Sequence, residues 1–178
     1  ELFDIYTAYL PGEPLSHLPI AQIVAHAKAI FPRKKHLARY NLTISHHRRR
    51  QLNLICSEAQ PKTKTLQVHM PDEITQIIYP GAPLIGASTV GRITNGFLYE
   101  VVDFDEQVQL KDENGTTFSV PISALEYCRY AFALTYYQSQ GRTLRGSIRL
   151  FDSSNKHFSA IHLSLGISRA ASDDLDIA

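Results

Sequence analysis

The sequence predicts an α/β domain with a small β-barrel or sandwich inserted into it, and three observations carry that prediction. A short apolar strand feeds directly into an amphipathic helix over 41–59, which is the repeating unit of α/β domains. Six short β segments separated by turn residues then occupy 66–120, the pattern of a small all-β body. Strand and helix signals return over 130–171. A chain of 178 residues has room for one domain with a sizeable core and a small insertion.

The elements follow in order. Residues 2–10 are aromatic and apolar, and Pro11, Gly12 and Pro14 end the stretch. Ile20, Ile23, Val24, Ala27 and Ile30 recur at helical spacing, with Pro19 suited to the first turn and Pro32 as the stop. Leu42, Thr43 and Ile44 mark a buried strand at 41–45. The helix predicted at 48–59 sets Leu52, Ile55, Cys56 and Ala59 on one side and Arg48, Arg49 and Glu58 nearer the other. The β segments are 66–69, 74–78, 82–87, 97–104, 108–110 and 117–120. Asn114-Gly115 is the clearest hairpin signal, because both residues tolerate the positive φ of a tight primed turn. A strand at 130–135, a strand at 147–151 and a helix at 158–171 complete the list. There is no internal repeat and no low-complexity tract.

Composition narrows the function classes. Hydrophobic content of 44% with 20% charged residues is that of a globular protein, so disorder is expected only at the ends. Cys56 and Cys128 are too few and too far apart for a disulfide framework or zinc site, and read as core thiols from a reducing compartment. No apolar run approaches membrane length and the first residues show no basic flank followed by a hydrophobic stretch, so a soluble intracellular protein is expected, nuclear or cytoplasmic. The start at Glu1 without methionine looks like an excised fragment or processed product. Net charge is only +1, yet Arg33, Lys34, Lys35, His36 and Arg39 form one basic cluster and His46, His47, Arg48, Arg49 and Arg50 another. Such clusters bind nucleic-acid phosphates or simply make a solvated face. The eight histidines show no metal-ligand spacing, and no nucleophile elbow or cysteine nucleophile setting occurs.

Two segments carry the sharpest signal. AFALTYYQSQGRTL, 131–144, reads as a buried strand breaking into a Ser/Gln/Gly turn, and HLSLGISRA, 162–170, as an apolar helix that delivers one cation, Arg169. In order and spacing the pair resembles the last two signature motifs of superfamily-1 helicases of the RecD-like branch, with their UvrD-type C-terminal region. The matching residues are Ala133, Leu134, Thr135, Ser139, Gln140, Gly141, Thr143 and Leu144, then Leu165, Gly166, Ile167, Ser168, Arg169 and Ala170. PGAPLIGASTVGRITNGFLYEVVDF, 80–104, also looks like the start of that family's inserted barrel, so the resemblance extends over roughly 42–170.

The resemblance implies a RecA-like second motor domain, 1–71 with 128–178, carrying a small Src-homology-3-like barrel at 72–127. It implies Arg169 as the arginine that reaches a γ-phosphate when two motor domains close, a role that a permanently charged, bidentate guanidinium suits. It implies a second γ-phosphate arginine within 48–50, Arg48 first and Arg49 second. Gln140 and Gly141 would face the nucleotide, where glycine permits close backbone approach. Thr135, Tyr136, Tyr137 and Ser139 would line the nucleic-acid track through hydroxyl–phosphate bonds and base stacking. The family's His-Lys pair is replaced here by Tyr137-Gln138, which removes a cation from that track.

No G-x-x-x-x-G-K-[ST] phosphate loop and no strand ending in Asp-Glu occurs in the chain. ATP with Mg²⁺ is therefore expected only with a preceding N-terminal RecA-like motor domain that holds the metal, and the chain alone is expected to be inactive. By resemblance the parent moves 5′ to 3′ on single-stranded DNA, in replication or repair; the lack of a membrane-length apolar run leaves no membrane partner expected. Two other readings stay open. One is a non-catalytic nucleic-acid-binding module derived from a helicase, and the other a viral RNA helicase domain with RNA as the strand.

Overall fold

The structure is a computed structural model that describes residues 7–8, 12–13, 17–70, 75–172 and 174–178. The apolar stretch expected at 2–10 falls outside these residues except at 7 and 8, and so does the first residue of the segment expected at 74–78. The described chain divides into two compact units: Asn53–Phe132 forms one, and the residues up to Leu52 together with Ala133–Ala178 form the other.

The discontinuous unit is built on a four-stranded sheet ordered β11-β10-β1-β9, where β1 is Tyr40–Thr43, β9 Ala133–Thr135, β10 Ile148–Leu150 and β11 Leu175–Ile177. All three pairings are parallel, with Leu42 opposite both Leu134 and Leu150. β9, β10 and β11 are buried at every residue, as parallel strands are when helices cover them. Helix α1, Ile20–Ile30, follows Pro19 and buries Ile23, Val24 and Ala27. Ile20 and Ile30, expected on the same face, are exposed at the two ends of the helix. Helix α2, His46–Glu58, leaves the end of β1. The short helix α3, Tyr136–Ser139, packs on β9 and β1, and helix α4, Ala160–Ile167, packs on α3 and α1.

A buried ion pair lies within this sheet. Arg149 Nε and Nη2 donate to Asp176 Oδ1 and Oδ2 at 2.6 and 2.9 Å, and the two side chains are only 5% and 2% exposed. The same Nη2 also donates to the carbonyls of Lys34 and His36 at 2.7 and 2.9 Å.

The second unit contains the antiparallel pair β2, Leu66–His69, and β3, Thr75–Ile78. It also contains a five-stranded antiparallel sheet, ordered β7-β6-β5-β4-β8. Its strands are β4 Pro83–Gly86, β5 Leu98–Phe104, β6 Gln107–Asp112, β7 Thr117–Pro121 and β8 Cys128–Tyr130, with a 3-10 helix at Ile122–Tyr127 before β8. Buried and exposed residues alternate along β6 and β7, the mark of strands with one wet face. The buried residues include Ile78, Leu84, Val101, Val108, Leu110 and Leu125. Gly115 turns the β6–β7 hairpin at φ +89°, and Asp112 Oδ1 accepts from the N–H groups of Asn114 and Thr116 at 3.0 and 2.8 Å. Both cysteines are buried and outside any disulfide, and burial pushes the Cys128 thiol up to about 12, so it stays protonated and inert at neutral pH.

Three differences from the sequence reading have physical causes. The strand expected at 130–135 is two strands: β8 ends at Tyr130 in the antiparallel sheet, and β9 begins at Ala133 in the parallel one. Residues 130–135 are all buried, so hydrophobicity alone gave no break. Next, β11 was not foreseen, because a charged Asp176 sits at its centre; it is tolerated there by the Arg149 fork. The helix expected at 158–171 is also shorter, ending at Ile167 where the chain turns to pair Leu144 with Ala170.

Candidate functional site

In a parallel α/β sheet the loops beyond the carboxyl ends of the strands gather ligands. Here the chain leaves β1 at Thr43 and reaches Ser45 just before α2: its Oγ accepts from Arg48 N at 3.2 Å and its carbonyl from Arg49 N at 3.0 Å. That is a serine cap at the head of a helix. Arg48 is half-buried, with its guanidinium 5.5 Å from the Phe151 ring centre and Nη1 3.4 Å from Gln51 Oε1. Arg49 is 1% exposed. Of the two arginines expected at a phosphate, the structure therefore gives the accessible place to Arg48 and encloses Arg49 in the protein.

At the end of β9, Thr135 caps α3. Its Oγ1 accepts from Gln138 N at 3.2 Å, while Thr135 N donates to Gln138 Oε1 at 3.0 Å. This reciprocal capping box explains what Gln138 does in place of a lysine, since an ammonium has no acceptor to return. Thr135 is 4% exposed, and its hydroxyl is already used in the cap.

The four residues expected along a nucleic-acid track divide sharply. Tyr136 is buried, donates through its hydroxyl to the Phe151 carbonyl at 2.9 Å, and meets the rings of Phe158 and His162 edge-on at 6.0 and 5.3 Å. Burial, and then the charge of Asp152, hold its hydroxyl well above the usual tyrosine range. A base cannot stack on Tyr136, which is a core residue. Ser139 is likewise fully buried and donates to the Tyr136 carbonyl at 2.7 Å. Tyr137 is the opposite case, 77% exposed at the head of α3. Register decides the outcome, because adjacent residues at the start of a helix point about 100° apart.

Gln140 and Gly141 are exposed, and Gly141 has φ +76° with open space where a Cβ would lie. The backbone conformation, not crowding, is what asks for glycine there. Beyond this turn the two signature segments meet: Leu144 N donates to the Arg169 carbonyl at 2.8 Å, and Ala171 N to the Leu144 carbonyl at 3.2 Å. Arg169 is half-buried, with Nη2 3.0 Å and Nε 3.3 Å from Ser168 Oγ. Each of the two arginines is held by its own neighbours, Arg48 by Phe151 and Gln51, and Arg169 by Ser168.

Gly166 sets how closely α4 lies on the sheet. A Cβ at this position would fall 2.6 and 2.8 Å from the two methyls of Leu150 and 3.1 Å from Tyr136 Cε1. Gly166→Ala is expected to cost about 1–3 kcal/mol by overpacking, read as an earlier denaturation midpoint in urea; an unchanged midpoint would show that Leu150 yields freely.

Sequence reasoning missed two side chains. Asp152 adopts φ +65°, and its Oδ2 accepts from Ile44 N at 2.9 Å, tying the loop after β10 to the end of β1. The Asp directly after an apolar strand was its only signal, since Asp tolerates left-handed backbone. His162 accepts at Nδ1 from Ser159 N at 3.2 Å and stacks on Phe158 at 5.7 Å. Burial lowers its pKa, which favours the neutral ring that can accept this bond.

Arg48 and Arg169 are accessible cations, whereas among the described residues no three His, Cys, Asp or Glu side chains gather into a metal site. Nor, among those residues, is any helix long and apolar enough to cross a membrane.

No protein-family model and no curated protein matches the chain. Solved structures do. The Pif1 helicase of Candida albicans superposes with TM-score 0.68 at 14% identity, over 99% of this chain and 52% of that one. Bacteroides Pif1 bound to single-stranded DNA gives 0.66 at 12% identity, over 98% and 48%. Bacteroides Pif1 in complex with ADP-AlF3 and single-stranded DNA gives 0.63 at 14%, over 99% and 48%. The chain thus spans about half the length of these Pif1 proteins. At such identities the likeness is one of fold: a mixed α/β arrangement with a parallel sheet, as in the RecA-like domain of a helicase.

Proposed function

We propose that the chain is the second, C-terminal motor domain of an ATP-dependent superfamily-1 DNA helicase that moves 5′ to 3′ on single-stranded DNA. The observation that carries this reading is the backbone pairing of Leu144 with Arg169 and Ala170, which stitches the Ser-Gln-Gly segment to the arginine-bearing one. Two segments recognised separately in the sequence are thereby one structural feature. The Pif1 structures with single-stranded DNA and ADP-AlF3 support the choice of strand and nucleotide.

In this reading residues 72–127 are the inserted Src-homology-3-like barrel, supported by the antiparallel order β7-β6-β5-β4 and the 3-10 helix at Ile122–Tyr127. Arg169 and Arg48 approach the terminal phosphate, Gln140 and Gly141 offer their exposed turn to the nucleotide, and Tyr137 offers a ring to the strand. ATP supplies the driving phosphoryl transfer, and its Mg²⁺ is held by a preceding RecA-like domain. The finer RecD-like placement rests on the motif pair, and a role in replication or repair follows from the same reading.

The test is ATP turnover by the full-length parent with and without single-stranded DNA. Stimulation by the strand is expected, and turnover indifferent to DNA would overturn the proposal. Within that assay Tyr137→Ala removes the one exposed ring of the segment. A stacked base contributes roughly 1–3 kcal/mol, so the DNA concentration for half-stimulation is expected to rise about tenfold.

A further inference from the structure

We infer that the amino edge of the parallel sheet is a second phosphate-binding surface for nucleic acid, formed by Arg33, Lys35, Arg39 and Arg145. This rests on the helicase reading for the class of partner, and on geometry for the place.

The segment between α1 and β1 is held from beneath by the buried pair. Arg149 Nη2 binds the carbonyls of residues 34 and 36. The chain bends at Lys35 and His36, and Arg33 and Lys35, which flank Lys34, are exposed. Lys34 meets Asp174 at 2.5 Å, and His36 lies 3.9 Å from the same carboxylate. Asp176 is occupied by Arg149. Among the described residues, Asp174 and Asp176 are thus matched to Lys34, His36 and Arg149. Among the described residues, no ion pair engages Arg33, Lys35 or Arg145.

The run ends where β1 begins, and a second basic segment arrives there. Arg39 N donates to Ser147 Oγ at 2.9 Å and Tyr40 N to the Ser147 carbonyl at 3.0 Å. Gly146, at φ +118°, lets the chain pass so closely that a Cβ would lie 3.3 Å from Arg39 Cβ and Cγ. Arg145 is therefore brought beside Arg39, a neighbour distant in sequence, and it is exposed.

Tyr137 follows the carboxyl end of β9, so the two surfaces sit at opposite edges of one sheet. Three arginines and a lysine on a braced backbone suit a row of phosphates, because guanidinium forks engage phosphate oxygens in pairs. Such a surface would hold nucleic acid that has left, or has not yet reached, the track.

The experiment is fluorescence anisotropy of this chain with a labelled single-stranded oligonucleotide and with a duplex, over a salt series. The charge reversal Arg33→Glu, Lys35→Glu, Arg145→Glu is expected to weaken binding at least about tenfold at low salt. Removing three phosphate contacts should also lower the slope of log affinity against log salt by about 2 for a single strand. Loss confined to one probe assigns the surface to that form of nucleic acid. Tyr137→Ala should leave the slope unchanged, and an unaltered melting temperature in the triple variant shows that folding is not the cause. Equal affinity and slope in the triple variant would overturn the inference. So would absence of wild-type binding to both probes, or tighter capture of a poly-glutamate peptide than of either. A parent without DNA-stimulated turnover would sink the helicase reading and yet leave a charge-dependent oligonucleotide surface standing, so the two failures are separable.

Discussion

Asp176→Ala is expected to destabilise the fold by about 3–5 kcal/mol, because it strands a buried guanidinium. Arg149 is 5% exposed, and after the substitution it would lose its bidentate carboxylate while keeping the neutral carbonyls of Lys34 and His36. Domains are stable by roughly 5–15 kcal/mol in total, so a loss of this size brings the parallel sheet near unfolding at room temperature. Urea denaturation followed by far-UV circular dichroism reads it. The instructive control is the double variant Arg149→Met, Asp176→Leu, for a buried pair replaced by apolar side chains of similar volume is often close to neutral. A single variant as stable as the parent would mean that water reaches Arg149, contrary to its burial. If the double variant proved as damaging as the single one, the carbonyl contacts that Arg149 makes to the 34–36 segment would be the larger part of its role.

That pair also shows where sequence reasoning stops. Hydrophobic periodicity located α1, β1, α2 and most strands of the antiparallel sheet, since each buries a face of regular spacing. Leu175-Asp176-Ile177 has the alternation of a strand too, but an Asp at the centre of three residues reads as a turn until its partner is known. The partner, Arg149, is 27 residues away. The split of 130–135 into β8 and β9 was hidden for the opposite reason. Every residue there is buried, so nothing in the pattern marks the point at which the chain leaves one sheet for another.

The site was legible in type more than in register. Of Tyr136 and Tyr137, one is core and the other surface, and only the exit of β9 into α3 decides which. The arginine triplet behaves alike: Arg49 turns inward while Arg48 and Arg50 retain solvent. Gln138 looked like a lost cation, whereas its acceptor oxygen closes a cap that lysine could not close. The meeting of Leu144 with Arg169 lay beyond local pattern, being a tertiary pairing between loops.

Arg169→Ala in the full-length parent is expected to lower strand-stimulated ATP turnover by roughly a thousandfold or more, the scale on which an arginine finger acts in phosphoryl transfer. Nucleotide affinity should change much less, because a finger engages charge that develops in the transition state and not in the ground state. The geometry separates this from a folding effect. Arg169 is half-buried, its side chain meets Ser168 Oγ, and its tie to Leu144 runs through the backbone carbonyl, which alanine retains. Arg169→Lys sharpens the test: it keeps the charge and loses the fork, so a large residual defect would assign the role to bidentate geometry instead of charge alone. Turnover unchanged in the alanine variant would remove Arg169 from the chemistry and pass the phosphate role to Arg48. That residue already stands over Phe151 at the head of α2, where a helix N-terminus itself favours an anion.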